Sequence, residues 1–298
     1  MQVSVIIAGN GPDTPIKRCL DALAAQWDSG VQVIVAFGGH SALEQELTNH
    51  AARIELISYS RPAALHVLRA SALRQAAGEL VAILDPYSIP ADGWLAAVRE
   101  THGVHPNPAI GGPVDLDGAA QRGLLDWALY INEYGMFLPP MEEQGMDLLP
   151  GCNGSYKRSA LFEGGAPRSP ELWKTFVNNR LLELGETLLI EPGMIVSLDK
   201  TIDFSDYLLR RFDHGRCYGA MSSVEMSLAA RWMRVAAAPL LPFVLLARWS
   251  GRFWARGRYR DKLVATLPLQ LLMFGWWIAG ETVGRVFGAG KSCSRLYY

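Results

Sequence analysis

The chain has 298 residues, of which 50% are hydrophobic and 19% charged, and its formal net charge at pH 7 is −1. That length suits one large domain, or a domain with an appendage, and the near-zero charge carries no electrostatic footprint for nucleic acid, so no nucleic-acid partner is expected. Cys19, Cys152, Cys217 and Cys293 lie far apart with no CxxC pair, which argues against a structural zinc or thioredoxin-like site and fits single thiols in a reducing compartment, although spacing alone leaves a bridge open.

Residues 3–7 are a short apolar run closed by Gly9, Asn10, Gly11 and Pro12. The run reads as a buried strand. It lacks the basic start and small-residue cleavage site of a signal peptide, so the front of the chain is expected to stay in the cytosol. Residues 15–25 place Ile16, Cys19, Leu20, Leu23 and Ala24 at helical spacing. A strand is expected at 31–37, closed by Gly38 and Gly39, then a helix at 43–52 and a strand at 54–58. A helix at 66–77 ends at Gly78, and a fourth strand at 80–84 is broken by Asp85 and Pro86. This alternation predicts a parallel sheet with helices on both faces, in which ligands bind beyond the carboxyl ends of the strands. Asn10, Gly38 and Asp85 fall at those ends and mark a site.

The middle third is less regular. Gly111, Gly112 and Pro113 turn into a short strand, and the aromatic-rich 124–134 is expected to be helical. Residues 139–149 read as a loop carrying Glu142, Glu143 and Asp147, and 151–155 as a tight polar segment leading into Tyr156, Lys157 and Arg158. A helix is expected at 172–184, stopped by Gly185, with strands at 188–190 and 195–196. Pro106 and Pro108 place His102 and His105 in a loop, an arrangement that does not suit a zinc pair.

Val3-Ser4-Val5-Ile6-Ile7, Cys19-Leu20 with Leu23, Ala76-Ala77-Gly78-Glu79-Leu80-Val81-Ala82-Ile83-Leu84-Asp85, and Pro90 with Trp94-Leu95 follow one another in an order that resembles family-2 glycosyltransferases of the GT-A fold. Asp126-Trp127-Ala128, Glu133-Tyr134-Gly135, Pro139-Pro140 and the run 151–158 are similar to a divergent bacterial branch. So are Arg211-Phe212, His214-Gly215-Arg216 and Trp277-Ile278-Ala279-Gly280-Glu281 with Gly284. The resemblance covers nearly the whole chain. It implies an α/β fold with a Rossmann-like, mostly parallel central sheet over 1–222, followed by a hydrophobic, helical, membrane-associated region over 223–298.

The chemistry it implies is inverting transfer of a sugar from a nucleotide-diphospho-sugar donor. In the family a divalent cation (Mg or Mn) on an acidic cluster after the fourth strand stabilises the leaving diphosphate, and an acid before a later helix takes the acceptor proton. Here the cluster reads Asp85-Pro86-Tyr87-Ser88, one carboxylate where two acidic groups are usual. Asp85 could hold the metal with waters and phosphate oxygens, or simply turn the chain ahead of Pro86. Aligning Arg180-Leu181 and Gly185 with the family puts Trp173-Lys174 where the acid is expected. Lys174 could pair with the diphosphate in place of a metal. Glu171 could serve as a substitute base, or as an acid in the first turn of a helix.

Arg69 lies at a position the family uses near the nucleotide. Arg211, His214 and Arg216 could reach the diphosphate or sit at a membrane surface. Asn153 and Trp173 are the acceptor-side candidates, Asn153 equally able to satisfy a tight turn. After the second strand the acids of the family give way to Ala36-Phe37-Gly38-Gly39-His40, with Phe37 better suited to the core than to stacking on a nucleobase. Leu198-Asp199-Lys200 stands where a histidine is often found.

Near the end, 235–247, with Pro239 and Pro242, and 263–280, with Trp276, Trp277 and Gln270, are apolar. The first is short for a bilayer span and the second borderline. Arg248, Arg252, Arg256, Arg258, Arg260 and Lys262 lie between them against Asp261 alone. Two spans would put this basic loop outside, against the positive-inside tendency. The expectation is two helices that lie in the interface or enter one leaflet on the cytoplasmic side, peripheral or monotopic, with arginines on anionic headgroups. A buried helical pair completing a core or dimer is the alternative. Two functions follow: a glycosyltransferase acting on a lipid-linked or glycan acceptor at the cytoplasmic membrane face, or a catalytically inactive relative serving as a membrane-bound scaffold for a protein partner.

Overall fold

The structure is a computed structural model that describes residues 1–10, 16–39, 47, 54–224 and 226–296. The helix expected at 43–52 lies outside the described residues except for Leu47, as does His40. In chain order, β1 (Val3–Asn10), α1 (Ile16–Ala24), β2 (Val31–Gly38), β3 (Ile54–Tyr59), α2 (Leu65–Gln75) and β4 (Leu80–Leu84) form the first alternating stretch. β5 (Ser88–Pro90), α3 (Trp94–Val104), β6 (Ala109–Gly111), β7 (Val114–Leu116), α4 (Leu124–Glu133), β8 (Gln144–Met146), β9 (Asn153–Lys157), α5 (Arg158–Leu161), β10 (Phe162–Glu163) and β11 (Ala166–Pro167) follow. The chain continues with α6 (Lys174–Glu183), β12 (Leu188–Ile190), β13 (Val196–Leu198), α7 (Phe204–Met221), α8 (Leu228–Ala237), α9 (Leu241–Ala255) and α10 (Arg260–Phe287).

Two compact units emerge: Met1–Asp117 with Phe137–Asp199, and Gly118–Met136 with Lys200–Leu296. The sequence predicts one boundary at residue 222. The structure groups α4 and α7 with the C-terminal helices, because Ala128, Leu129, Tyr207 and Met273 share one core cluster.

The first unit is built on a mixed sheet of order β3-β2-β1-β4-β9-β6-β12-β8 among the described residues. β3, β2, β1 and β4 run parallel, as the alternating pattern predicts. β1 is apolar almost throughout because it is covered on both faces. Its one buried polar side chain, Ser4, is satisfied: Oγ donates to Gln32 Oε1 at 2.6 Å and accepts from the Gly78 amide at 2.8 Å. Of the tight polar segment 151–155, Asn153, Gly154 and Ser155 begin β9, which enters the centre of the sheet antiparallel to both β4 and β6. The loop expected at 139–149 contains β8. His102 belongs to the last turn of α3 rather than to a loop; its Nε2 lies 2.9 Å from Ser155 Oγ on β9.

The second unit is organised by the crossing of α7 and α10. Each helix brings a pair of glycines four residues apart to the contact. A Cβ at Gly215 or Gly219 would stand 2.3 Å from the Trp277 carbonyl or 2.1 Å from the Glu281 carbonyl, and one at Gly280 or Gly284 would stand 2.2 Å from Phe212 O or 2.0 Å from Arg216 O. No side chain fits between these backbones, so glycine is required on both sides. Gln270, the polar residue of the apolar stretch, is buried on α10 and gives its Nε2 to Ala128 O at 2.7 Å while its Oε1 accepts from Asn132 at 3.0 Å. Glu281 and Arg285 form a buried pair at 2.6 Å. α10 has the length and apolar composition of a membrane span; these contacts occupy one of its faces, while Val264, Leu272, Trp276 and Phe287 are exposed. Cys217 and Cys293 are joined by a disulfide, the bridge that spacing alone left open; Cys19 and Cys152 are buried and lie outside it.

α8 and α9 meet at a 76° bend around residues 238–240, where Pro239 follows α8 and Pro242 opens α9 without needing an amide hydrogen bond. No residue of α8 is buried. Leu228, Trp232, Met233, Leu240, Phe243 and Val244 are each more than half exposed.

Candidate active site

Because β2, β1 and β4 lie side by side and parallel, their carboxyl ends are neighbours. Asn10 pairs in register with Gly38, and Asp85 follows β4 directly. The Asn10 amide pins the chain beyond β3: its Nδ2 donates to Ala63 O and its Oδ1 accepts from Ala63 N, both at 3.0 Å. A Cβ at Gly38 would fall 2.5 Å from Asn10 Oδ1, so the close approach of these strand ends requires glycine there. Phe37 is buried in the core.

Asp85 is the centre of a buried charged cluster. Its Oδ1 accepts from Arg69 Nη2 at 2.7 Å and from Lys174 Nζ at 3.2 Å, and its Oδ2 accepts from the Tyr87 hydroxyl at 3.0 Å. Lys174 Nζ also donates to the Gly151 carbonyl. α2 supplies Arg69, the first residue of α6 supplies Lys174, and the turn after β4 supplies Asp85 and Tyr87. Burial opposes ionisation of Asp85, but the charges of Lys174 and Arg69 outweigh it and hold the carboxyl at about 2. Burial pulls the Lys174 ammonium down and Arg69 adds to the effect; Asp85 offsets part of this and leaves Lys174 at about 8. Two cations and one anion leave a net positive site at neutral pH.

A second group adjoins the first, linked through α2 and the residues leading into α6. The His66 ring stacks on Trp173 with centroids 4.3 Å apart. Trp173 Nε1 donates to Glu171 Oε2 at 2.9 Å, and His66 Nε2 lies 3.6 Å from the same oxygen. Burial, opposed by Glu171 and assisted by Arg69, lowers the His66 pKa. Glu171 stands ahead of α6, whose N-cap is Trp173, and is therefore not an acid of the first helical turn. His66 and Tyr87 were not singled out from sequence. His66 was legible in principle, since it sits three residues before Arg69 on one helix face; Tyr87 required the backbone turn after β4.

The remaining candidates are engaged elsewhere. Asn153 is fully buried; its Nδ2 donates to Met194 O at 2.6 Å and Pro113 O at 3.2 Å, and its Oδ1 accepts from Trp94 Nε1 at 3.0 Å. It fastens β9 to its surroundings, with its amide committed within the core. Arg211, His214 and Arg216 lie on α7 in the second unit. Arg211 covers the Trp277 ring at 4.4 Å, His214 meets the same ring edge-on at 4.8 Å, and Arg216 Nε donates to Gly288 O at 3.0 Å. Asp199 receives Arg18 at 2.6 Å, a guanidinium that also pairs with Asp117 at 2.7 Å.

The donor set does not suit a resident divalent cation. Asp85 is the one carboxylate in the cluster, both of its oxygens already accept hydrogen bonds, and two cations face it. Among the described residues no three His, Cys, Asp or Glu side chains converge to hold an ion. A pocket of about 200 Å³ lined by Gln2, Gly30, Gln32 and Gly78 lies at the amino ends of β1, β2 and β4, away from Asp85, and its lining carries no titratable side chain.

No protein-family model matches the sequence, and no curated protein matches it either. Solved structures do resemble it in fold. The mannosyltransferase PcManGT from Pyrobaculum calidifontis, solved with GDP-Man and Mn2+, superposes with a TM-score of 0.59 over 96% of this chain and 87% of its own, at 17% identity. GalNAc-T7, solved with UDP, GalNAc and Mn2+, superposes with a TM-score of 0.51 over 66% of this chain at 16% identity, and the match spans 44% of that protein. The fold of this chain is the α/β fold of GT-A glycosyltransferases.

Proposed function

We propose that this chain is a family-2-type, inverting glycosyltransferase that moves a sugar from a nucleotide-diphospho-sugar to a lipid-linked or glycan acceptor at the cytoplasmic face of a membrane. The observation that carries the reading is the Asp85–Arg69–Lys174 cluster at the carboxyl end of β4, where a parallel sheet of this type presents its ligand site. In the reaction the bond between the anomeric carbon and the β-phosphate oxygen breaks, and its electron pair stays on that oxygen. Lys174 and Arg69 stabilise the charge that develops there. The acceptor oxygen bonds to the anomeric carbon from the opposite face, and its proton passes to Glu171, which Trp173 and His66 orient.

Membrane contact is supported by the exposed Trp232, Met233, Leu240, Phe243 and Val244 flanking the α8–α9 bend, with Arg231 and Arg234 before it and Arg248 and Arg252 after it. An apolar tip between basic shoulders suits insertion into one leaflet bearing anionic headgroups.

The direct test is release of nucleoside diphosphate, followed by mass spectrometry, when the protein is mixed with a panel of nucleotide sugars and lipid or glycan acceptors. Release by the wild type and a fall of roughly 10²–10⁴-fold in Glu171→Gln is expected. Equal release by both overturns the base assignment, and no release from any donor overturns the reading.

A further inference from the structure

We propose that Lys174 and Arg69 hold the donor diphosphate without a metal ion, so that donor binding in this chain is independent of divalent cations. The inference rests on the glycosyltransferase reading of the same site and concerns how that site is charged. A divalent ion at Asp85 would have to displace Lys174 (3.2 Å) and Arg69 (2.7 Å) from Oδ1 or the Tyr87 hydroxyl (3.0 Å) from Oδ2, and on either oxygen it would place a third positive group beside two cations. An anion meets the opposite situation. Lys174 Nζ carries three protons, of which Asp85 and Gly151 O take two. Arg69 gives one Nη2 to Asp85, and its buried Nε has no partner among the described residues. The guanidinium fork therefore keeps donors suited to a phosphate edge.

The arrangement also explains how one acid suffices after β4. Asp85 does not need a second carboxylate to gather a metal; it fixes two cations, each restrained by a second anchor. Lys174 is tied to Gly151 O and starts α6, and Arg69 is embedded in α2. Side chains locked in this way need little reorganisation when the diphosphate arrives or when charge grows on the leaving oxygen. The exchange of the expected acid for Lys174 supplies positive charge at the place where it removes a metal ligand.

The experiment is calorimetric titration of the full chain with uridine, guanosine, adenosine and thymidine diphosphates, once in excess EDTA and once in Mn2+, using wild type, Lys174→Met and Lys174→Glu. The proposal expects one diphosphate to bind wild type with the same affinity in both conditions, within about twofold. Lys174→Met should weaken it by roughly 10–100-fold, the loss of one charge-assisted hydrogen bond. Lys174→Glu, which recreates a pair of carboxylates, should bind only with Mn2+. The wild-type comparison needs no variant to fold. Wild-type binding that requires Mn2+ overturns this proposal and leaves the donor reading standing. No binding of any diphosphate in either condition overturns both.

Discussion

Lys174 Nζ stands 3.2 Å from Asp85 Oδ1, joining the first residue of α6 to the turn after β4 across 89 positions of sequence. With Arg69 on the same oxygen at 2.7 Å, two cations share one carboxylate, and the cluster keeps a net positive charge. The same contacts hold the fold together at the site, so charge variants here should change stability as well as binding.

Asp85→Asn should destabilise the protein by about 3 kcal/mol, because it strands two buried cations without their counterion. Adding Lys174→Met should recover a good part of that loss, because one stranded charge is removed. Urea unfolding of the two variants checks this; a double variant less stable than Asp85→Asn would show that Lys174 is held mainly by packing.

The crossing of α7 and α10 gives a prediction with an internal control. Gly219→Ala and Gly284→Ala place a methyl about 2 Å from a facing backbone carbonyl, and should each lower stability by roughly 1–3 kcal/mol as the helices are forced apart. Gly251→Ala and Gly275→Ala lie on helices with nothing within 4 Å of the new methyl, and should raise stability by about 0.5–1 kcal/mol through helix propensity. Thermal unfolding of the four variants should divide them into two signs.

His102 yields a pH prediction. Burial, with the Lys157 charge, lowers its pKa to about 4 against the opposing hydrogen bond with Ser155. The folded state therefore binds fewer protons than the unfolded state between about pH 4 and the ordinary histidine value of about 6.5. Stability is complete above that value and falls as pH drops through the window, by up to roughly 3 kcal/mol. His102→Gln, which can still bond Ser155 but does not titrate, should flatten the slope of stability against pH there. An unchanged slope would assign the acid sensitivity to another group.

If the α8–α9 bend enters a leaflet, Leu240→Glu and Phe243→Glu should each reduce sedimentation with vesicles containing anionic lipid by about tenfold or more, since each removes a large side chain from the apolar phase. High salt should weaken wild-type binding by screening the flanking arginines. Vesicle binding unaltered by either variant would place the membrane contact elsewhere.

The parallel half of the sheet was readable because buried parallel strands are nearly continuous apolar runs separated by turn formers, as β1 and β4 show. β9 escaped because its Asn153, Gly154 and Ser155 have the composition of a turn. They are tolerated in the sheet centre only because Trp94, Met194, Ile110 and His102 satisfy their polar atoms, partners distant in sequence. Asp85, Arg69 and Lys174 could be named from position along the chain, but their convergence on one carboxylate depends on how α2 and α6 pack. By residue type His214 and Arg216 suit either a diphosphate or a membrane surface; the structure engages them with α10 and the segment after it, and Gly215 with the helix crossing.

The proposed nucleotide-sugar site is the carboxyl end of the parallel strands around Asp85. Its most direct test is calorimetric titration of the intact protein with a panel of uridine-, guanosine-, adenosine- and thymidine-diphospho-sugars, each repeated after saturation with the matching nucleoside diphosphate. Saturable one-to-one binding of at least one donor, abolished by the competing diphosphate, is the expected result. Absence of binding by every donor, with chelator and with Mn2+ alike, would contradict it.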